Sequence, residues 1–94
     1  MNSYIVEPTT AFTRDIKKFR KDQKIKLAIK LTLKNMVRNP FDLSLMTHQV
    51  NISSLGKVWS SRVTSDLRLE WIFSKNNKLI IIALRLQGHD TVYK

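Results

Sequence analysis

Two distinct periods of hydrophobic and polar positions run along this 94-residue chain, and they mark out its elements. Tyr4-Ile5-Val6-Glu7 reads as a short strand, stopped by Pro8 because proline donates no amide hydrogen. Thr9 or Thr10 can then cap a helix whose apolar stripe is Phe12, Ile16 and Phe19, spaced i, i+4, i+7. Its other face holds Arg14, Lys17, Lys18, Arg20 and Lys21. Asp22 is placed to cap a second helix, predicted to run to about Val37. Ile25, Ala28, Ile29, Leu33 and Met36 make its main apolar stripe, with Leu27 and Leu31 beside it. So wide an apolar face predicts burial on two sides, or a groove left for a partner. Asn39-Pro40 ends the helix, since a residue before proline avoids helical geometry.

The second half changes period. Phe41 to Lys57 is predicted to be a long connection holding His48 and Gly56, and long loops in compact domains are usually functional or mobile. From Val58 a two-residue alternation begins, with Trp59, Ser61 and Val63 on one face and Val58, Ser60, Arg62 and Thr64 on the other. Leu67, Leu69, Trp71 and Phe73 alternate with Arg68, Glu70 and Ile72, the mark of a half-buried strand. Ser74 to Lys78 is predicted to be a hairpin turn, its asparagines tolerating positive φ. Leu79 to Leu84 is the longest apolar run and reads as a strand buried on both faces. The predicted order is β-α-α-β-β-β: one α+β domain over residues 1–94, two N-terminal helices on a small, mainly antiparallel twisted sheet. No internal repeat or low-complexity tract interrupts it.

Charge sharpens this picture more than composition does. Seventeen Lys and Arg against seven Asp and Glu give a net charge of +10. Ten of those cations lie between Arg14 and Arg38, opposed only by Asp15 and Asp22. Solubility needs nothing so lopsided, so a polyanionic partner is expected, nucleic acid first and an acidic protein second. There is no cysteine, which removes disulfides, thiolate zinc sites and thiol nucleophiles, and fits a reducing cytoplasm. The N-terminus shows no signal-peptide pattern, and the apolar run falls far short of the about 20 residues a membrane span needs.

The candidate chemistry follows by elimination. Two glycines cannot supply a dinucleotide or P-loop fingerprint, and no Gly-x-Ser-x-Gly is present. His48 and His89 are too far apart for a local metal motif, so a zinc site would need distant carboxylates to converge. What remains is a polar set at strand ends: His48, Arg62, Asp66, Arg68, His89 and Tyr93. Phosphodiester cleavage needs a base for the ribose 2′-hydroxyl, an acid for the leaving oxygen and cations for the phosphorane, and this set contains such groups. Each residue also has a plainer reading. Arg68 can simply pair with Glu70 or Asp66, Tyr93 can close the core edge, and either histidine can be an ordinary surface residue.

The order and spacing of Trp59-Ser-Ser-Arg-Val-Thr-Ser-Asp-Leu-Arg-Leu-Glu-Trp-Ile-Phe73, then a strand, then Gly88-His89-Asp90-Thr91-Val92-Tyr93, resemble the RelE/ParE superfamily of type II toxins. The early Phe12 to Phe19 helix with its lysines, the Pro40 break and the His48 segment extend the resemblance over nearly the whole chain. It is nearest in look to the ribosome-dependent endoribonucleases typified by YafQ. The resemblance implies a toxin that cleaves mRNA in the ribosomal A site by 2′-hydroxyl attack, with no metal or organic cofactor. By implication His89 is the principal acid or base, His48 and Asp66 assist, and Tyr93 holds an mRNA base. Arg62 stands where that branch has a histidine and Leu67 where it has a tryptophan. Arg62 and Arg68 look instead like the phosphate-stabilising arginines of other RelE-type nucleases, which leaves the identity of the base open. Lys17, Lys18, Lys21 and Lys24 are expected to grip ribosomal RNA, and an acidic antitoxin is the expected protein partner. A ParE-like gyrase poison that cleaves no RNA, and a degenerate member that only binds its antitoxin, are the competing readings.

Overall fold

The computed structural model describes residues 3–88. Strand β1 (Ile5–Pro8) leads into helix α1 (Thr10–Lys17) and helix α2 (Gln23–Arg38), then a 3-10 turn (Leu43–Leu45). Strands β2 (His48–Ile52), β3 (Gly56–Arg62), β4 (Leu67–Phe73) and β5 (Ile80–Gly88) follow. They form one five-stranded sheet in the order β1-β5-β4-β3-β2. Every neighbouring pair is antiparallel except β1 with β5, which run parallel with both helices and three strands between them in the chain.

The helix starts are fixed by the predicted caps. The Thr9 hydroxyl accepts from the Phe12 amide at 3.1 Å and donates to the Leu84 carbonyl at 3.0 Å, so one side chain caps α1 and ties it to β5. Asp22 accepts from the Ile25 amide at 3.1 Å and caps α2. Strand β1 pairs with β5 only as far as Pro8 opposite Ala83. Beyond that point Asp15 of α1 takes over, its carboxylate accepting from the Leu86 amide at 2.9 Å. Side chains thus satisfy backbone groups that a longer strand would have paired.

The core lies between the helices and one sheet face. Phe12 of α1 and Ile29 and Met36 of α2 meet Leu67, Leu69 and Trp71 of β4 and Ile81, Ala83 and Leu86 of β5. A buried chain of three hydrogen bonds anchors the entry to the sheet. The Trp71 indole donates to the Ser61 hydroxyl at 2.9 Å, and Ser61 and Thr47 hydroxyls lie 2.7 Å apart. Thr47 must donate to the Pro40 carbonyl at 2.6 Å, so Ser61 donates to Thr47, and each hydroxyl donates once and accepts once.

Three expectations are corrected. Phe41 to Lys57 is not one long connection: it contains the 3-10 turn and β2, which makes five strands where four were predicted. β2 is a five-residue edge strand whose only apolar side chains are Val50 and Ile52, too short and polar for its period to stand out. β5 is not buried on both faces. Ile81 and Ala83 are fully buried under the helices, while Ile80 and Ile82 are only half-buried on the face the helices leave open. The Ser74–Lys78 hairpin is present but uses no positive φ; the Ser74 hydroxyl and the Asn77 side chain accept from the Asn76 and Leu79 amides instead. Positive φ occurs at Gly56, after the turn joining β2 to β3, and at Met46.

Candidate functional site

Strand register decides which polar side chains share the open face. His48 is opposite Ser60, and Arg62, two residues further on, is opposite Arg68. Arg68 is in turn opposite Gln87, and Ser60 is opposite Glu70, itself opposite Arg85. Paired residues point to the same side of a sheet, as do residues two apart on a strand. His48, Arg62, Arg68, Glu70, Arg85 and Gln87 therefore all lie on the face opposite the helices. Cα atoms of directly opposed residues are about 5 Å apart, so Arg62 and Arg68 bring two like charges together at one end of the β3–β4 hairpin. Like charges so placed repel each other unless an anion lies between them.

Met46 joins His48 to this group. Its backbone is left-handed, with φ 49, a conformation that costs a non-glycine residue free energy. In that position its carbonyl lies 3.0 Å from His48 Nδ1, and its sulfur accepts from Arg62 Nη1 at 3.6 Å. His48 is not on a loop, as expected, but is the first residue of β2, exposed at its edge. With Nδ1 held by a carbonyl, its Nε2 is the nitrogen left for an incoming group. Asp66 lies in the exposed turn between β3 and β4, its amide donating to the Thr64 hydroxyl at 3.2 Å, just before Arg68.

Arg68 does not pair with Glu70. That carboxylate, 6% exposed, is held by Arg85 Nε in a part-buried ion pair. Glu70 and Arg85 were not among the expected site residues, and the reason is a β-bulge. The register shifts between Glu70 and Trp71, which face Arg85 and Ala83, so Leu84 is an extra residue. Plain alternation from Ile81 and Ala83 would send Arg85 into the core; the bulge turns it to the open face and sends Leu86 inward. No sequence signal marks that extra residue.

The lysines are elsewhere. Lys17, Lys18 and Lys21 line a shallow hollow with Arg14 and Arg20 on and after α1, on the helical side of the sheet, and Lys24 stands in the first turn of α2. Lys18 also lines a hollow with Phe19, Arg85, Gln87 and Gly88, at the edge of β5 that β1 does not reach. This hollow joins the helical cations to the open-face set. β5 is described to Gly88, opposite Leu67; His89 and Tyr93 lie outside the described residues. Among the described residues no three His, Asp or Glu side chains gather as metal ligands, and no helix is long and apolar enough to cross a membrane.

Comparison with solved structures identifies the fold that carries these residues. YafQ from E. coli strain BL21(DE3) superposes with a TM-score of 0.73 at 17% identity, covering 97% of this chain and 99% of that one. The chain has the RelE/YafQ-type toxin fold. The toxin–antitoxin complex RelBE2 of Mycobacterium tuberculosis matches with a TM-score of 0.68 at 22% identity, over 92% of this chain and 98% of that one. The YoeB/ParE toxin of Agrobacterium tumefaciens matches at 0.72 and 16% identity, over 90% and 98%. No protein-family model matches the sequence, and no curated protein does. The RelE/YafQ-type fold is thus carried by a sequence far from these relatives, and the two-helix, five-stranded α+β architecture is what they share with it.

Proposed function

We propose that this protein is the toxin of a type II toxin–antitoxin pair and a ribosome-dependent endoribonuclease that cuts mRNA in the A site. The observation that carries the reading is the cationic open face. Arg62 and Arg68 stand opposite each other with His48 beside them, at the sheet end where β5 reaches Gly88, one residue before His89. The RelE/YafQ-type fold supports it, since its solved examples include proteins described as toxins and a toxin–antitoxin complex.

The reaction asks little of the protein beyond placed charges and protons. A base removes the proton from the ribose 2′-hydroxyl, whose oxygen attacks the adjacent phosphorus. The phosphorane charge is spread against Arg62 and Arg68, and an acid protonates the departing 5′-oxygen, leaving a 2′,3′-cyclic phosphate. Arginine suits this because its planar donors match phosphate oxygens and its charge persists at any physiological pH. His89 is the principal acid or base in this reading. His48 and Asp66 hold or relay the second proton, and Tyr93 stacks on an mRNA base. Lys17, Lys18, Lys21 and Lys24 bind ribosomal RNA from the helical side. No metal or organic cofactor is needed. An acidic antitoxin neutralises the cationic surface.

The test is primer extension on a translated message in a reconstituted translation reaction. Wild-type protein should cut within codons only while the message is being translated. Folded His89→Ala should cut about 10²- to 10⁴-fold more slowly, the range for one well-placed acid–base group. Undiminished cutting by that variant removes His89 from the role. DNA damage after induction, with no cuts in mRNA, would replace the nuclease by a gyrase poison.

A further inference from the structure

Met46 is an unexpected residue for the conformation it holds. Its backbone is left-handed, with φ 49° and ψ 41°. Among the described residues the other positive φ belongs to Gly56, which has no Cβ to clash. Burial repays little of the cost, since Met46 is 55% exposed. The chain on either side of it is fixed. Leu45 is buried in the core, and Thr47 donates to the Pro40 carbonyl and joins the relay through Ser61. The Met46 amide itself donates to the Leu43 carbonyl at 3.2 Å. Strain of this kind persists only where neighbours impose it, and it collects where a site needs groups aimed.

Two groups are aimed here. A carbonyl oxygen can only accept, so the Met46 carbonyl, 3.0 Å from His48 Nδ1, requires the hydrogen of the neutral ring to sit on Nδ1. Nε2 then carries a lone pair and is open to a proton. The Met46 sulfur, 3.6 Å from Arg62 Nη1, is a weak and uncharged acceptor. It fixes where the guanidinium lies without cancelling its charge, as a carboxylate would. Among the described residues Arg62 makes no ion pair, so that charge stays available to a phosphate.

We propose that Met46 is a positioning residue for RNA cleavage: its carbonyl holds His48 with a bare Nε2, and its thioether holds Arg62 at full charge. The inference rests on the nuclease reading above and deepens it. Substitution separates the two holds. Met46→Gly keeps the left-handed backbone and the carbonyl but loses the sulfur. Met46→Leu also keeps the bulk and loses only the sulfur. Met46→Val is β-branched, resists the left-handed conformation and displaces the carbonyl.

Nitrogen-15 NMR of the histidine-labelled full-length protein, assigned against His89→Ala, reads the first hold at a pH where the ring is neutral. Single-turnover cleavage of a translated message, with toxin saturating the programmed ribosomes, reads both. Wild type, Met46→Gly and Met46→Leu should show His48 protonated on Nδ1, and Met46→Val should shift toward the Nε2-protonated tautomer. Cleavage should slow about threefold in the Gly and Leu variants alike and at least about tenfold in the Val variant, since a misplacement of about 1 Å can cost about 10²-fold. Circular dichroism spectra and ribosome affinity should not change. An Nε2-protonated ring in the wild type overturns the proposal, and so do wild-type rates in all three variants. Normal cutting by Met46→Leu beside slow cutting by Met46→Gly would reduce the sulfur to bulk and overturn the hold on Arg62. If Met46→Val does not fold, the wild-type tautomer and the Gly–Leu pair still decide. A wild type that cuts no translated message yet keeps Nδ1 protonated would remove the nuclease reading and leave the hold on His48 standing. Normal cutting with the other tautomer would do the reverse.

Discussion

Single residues in this protein act through how completely they are paired. Ser61 is the plainest case, since it is fully buried and its hydroxyl links the Trp71 indole to Thr47. Ser61→Ala leaves a buried indole N–H without an acceptor and Thr47 without a donor, which should lower unfolding free energy by roughly 1–3 kcal/mol in urea denaturation. Ser61→Ala combined with Trp71→Phe should lose less than the two singles together, because the orphaned donor is then gone. A strictly additive double variant would show that the relay contributes nothing. At this scale the sequence was partly legible. Ser61, Trp71, Arg62 and Arg68 fall on the faces that alternation assigns them. Arg85 does not, and neither does the pairing of Glu70, since both depend on a bulge that substitutes one backbone pairing for another at no visible cost in residue type.

Elements report how well local signals survive a tertiary context. The caps at Thr9 and Asp22 and the break at Asn39-Pro40 were readable because each is a local hydrogen-bond or steric rule. The 3-10 turn and β2 were hidden, because Leu43 points to solvent, the turn is three residues long, and β2 draws its pairing from β3 rather than from its own pattern. Asp42 begins that turn, accepting from the Ser44 hydroxyl at 2.6 Å and the Ser44 amide at 2.9 Å. These bonds hold its carboxyl below the ordinary value of 3.8. The cap is therefore fully present above 3.8 and is lost only as pH falls through the lowered value. An NMR titration of the Asp42 carboxyl should show that depressed midpoint, with the Ser44 amide shifting in parallel. A midpoint at or above 3.8 would mean that the cap does not form in solution. Asp42→Ala should speed amide exchange at Ser44 and Leu45 and leave the sheet's protection unchanged.

The whole molecule is a division of charge across a sheet. One face is covered by helices whose outer surface is cationic, and the other presents arginines to solvent, with the two regions meeting at the short edge beyond Pro8. Much of this was in the sequence: the helix–helix–meander order predicts the layers, and the Arg14 to Arg38 run predicts the basic side. Its second edge strand and the exact faces of β5 were not, since both are set by long-range pairing. If the lysines bind ribosomal RNA phosphates, affinity for ribosomes must fall steeply with salt. Replacing Lys17 and Lys21 by Ala should flatten the slope of log affinity against log salt by roughly 1.4 to 1.8, measured by fluorescence anisotropy over a salt series. An unchanged slope would place those lysines off the RNA.

The extra residue at Leu84 has a consequence for how this strand can evolve. It works as a half-step in the pleat, so that odd-numbered positions serve the interior up to Ala83 and the opposite surface from Arg85 onward. Substitutions along β5 change what each side chain offers, whereas taking Leu84 into the regular ladder would exchange the two sides beyond it: Arg85 would turn toward the hydrophobic interior and Leu86 toward water. Deleting Leu84 would instead leave Ala83, Arg85 and Leu86 opposite consecutive residues of β4 with their faces unchanged, so the strand can lose this residue more safely than it can pair it.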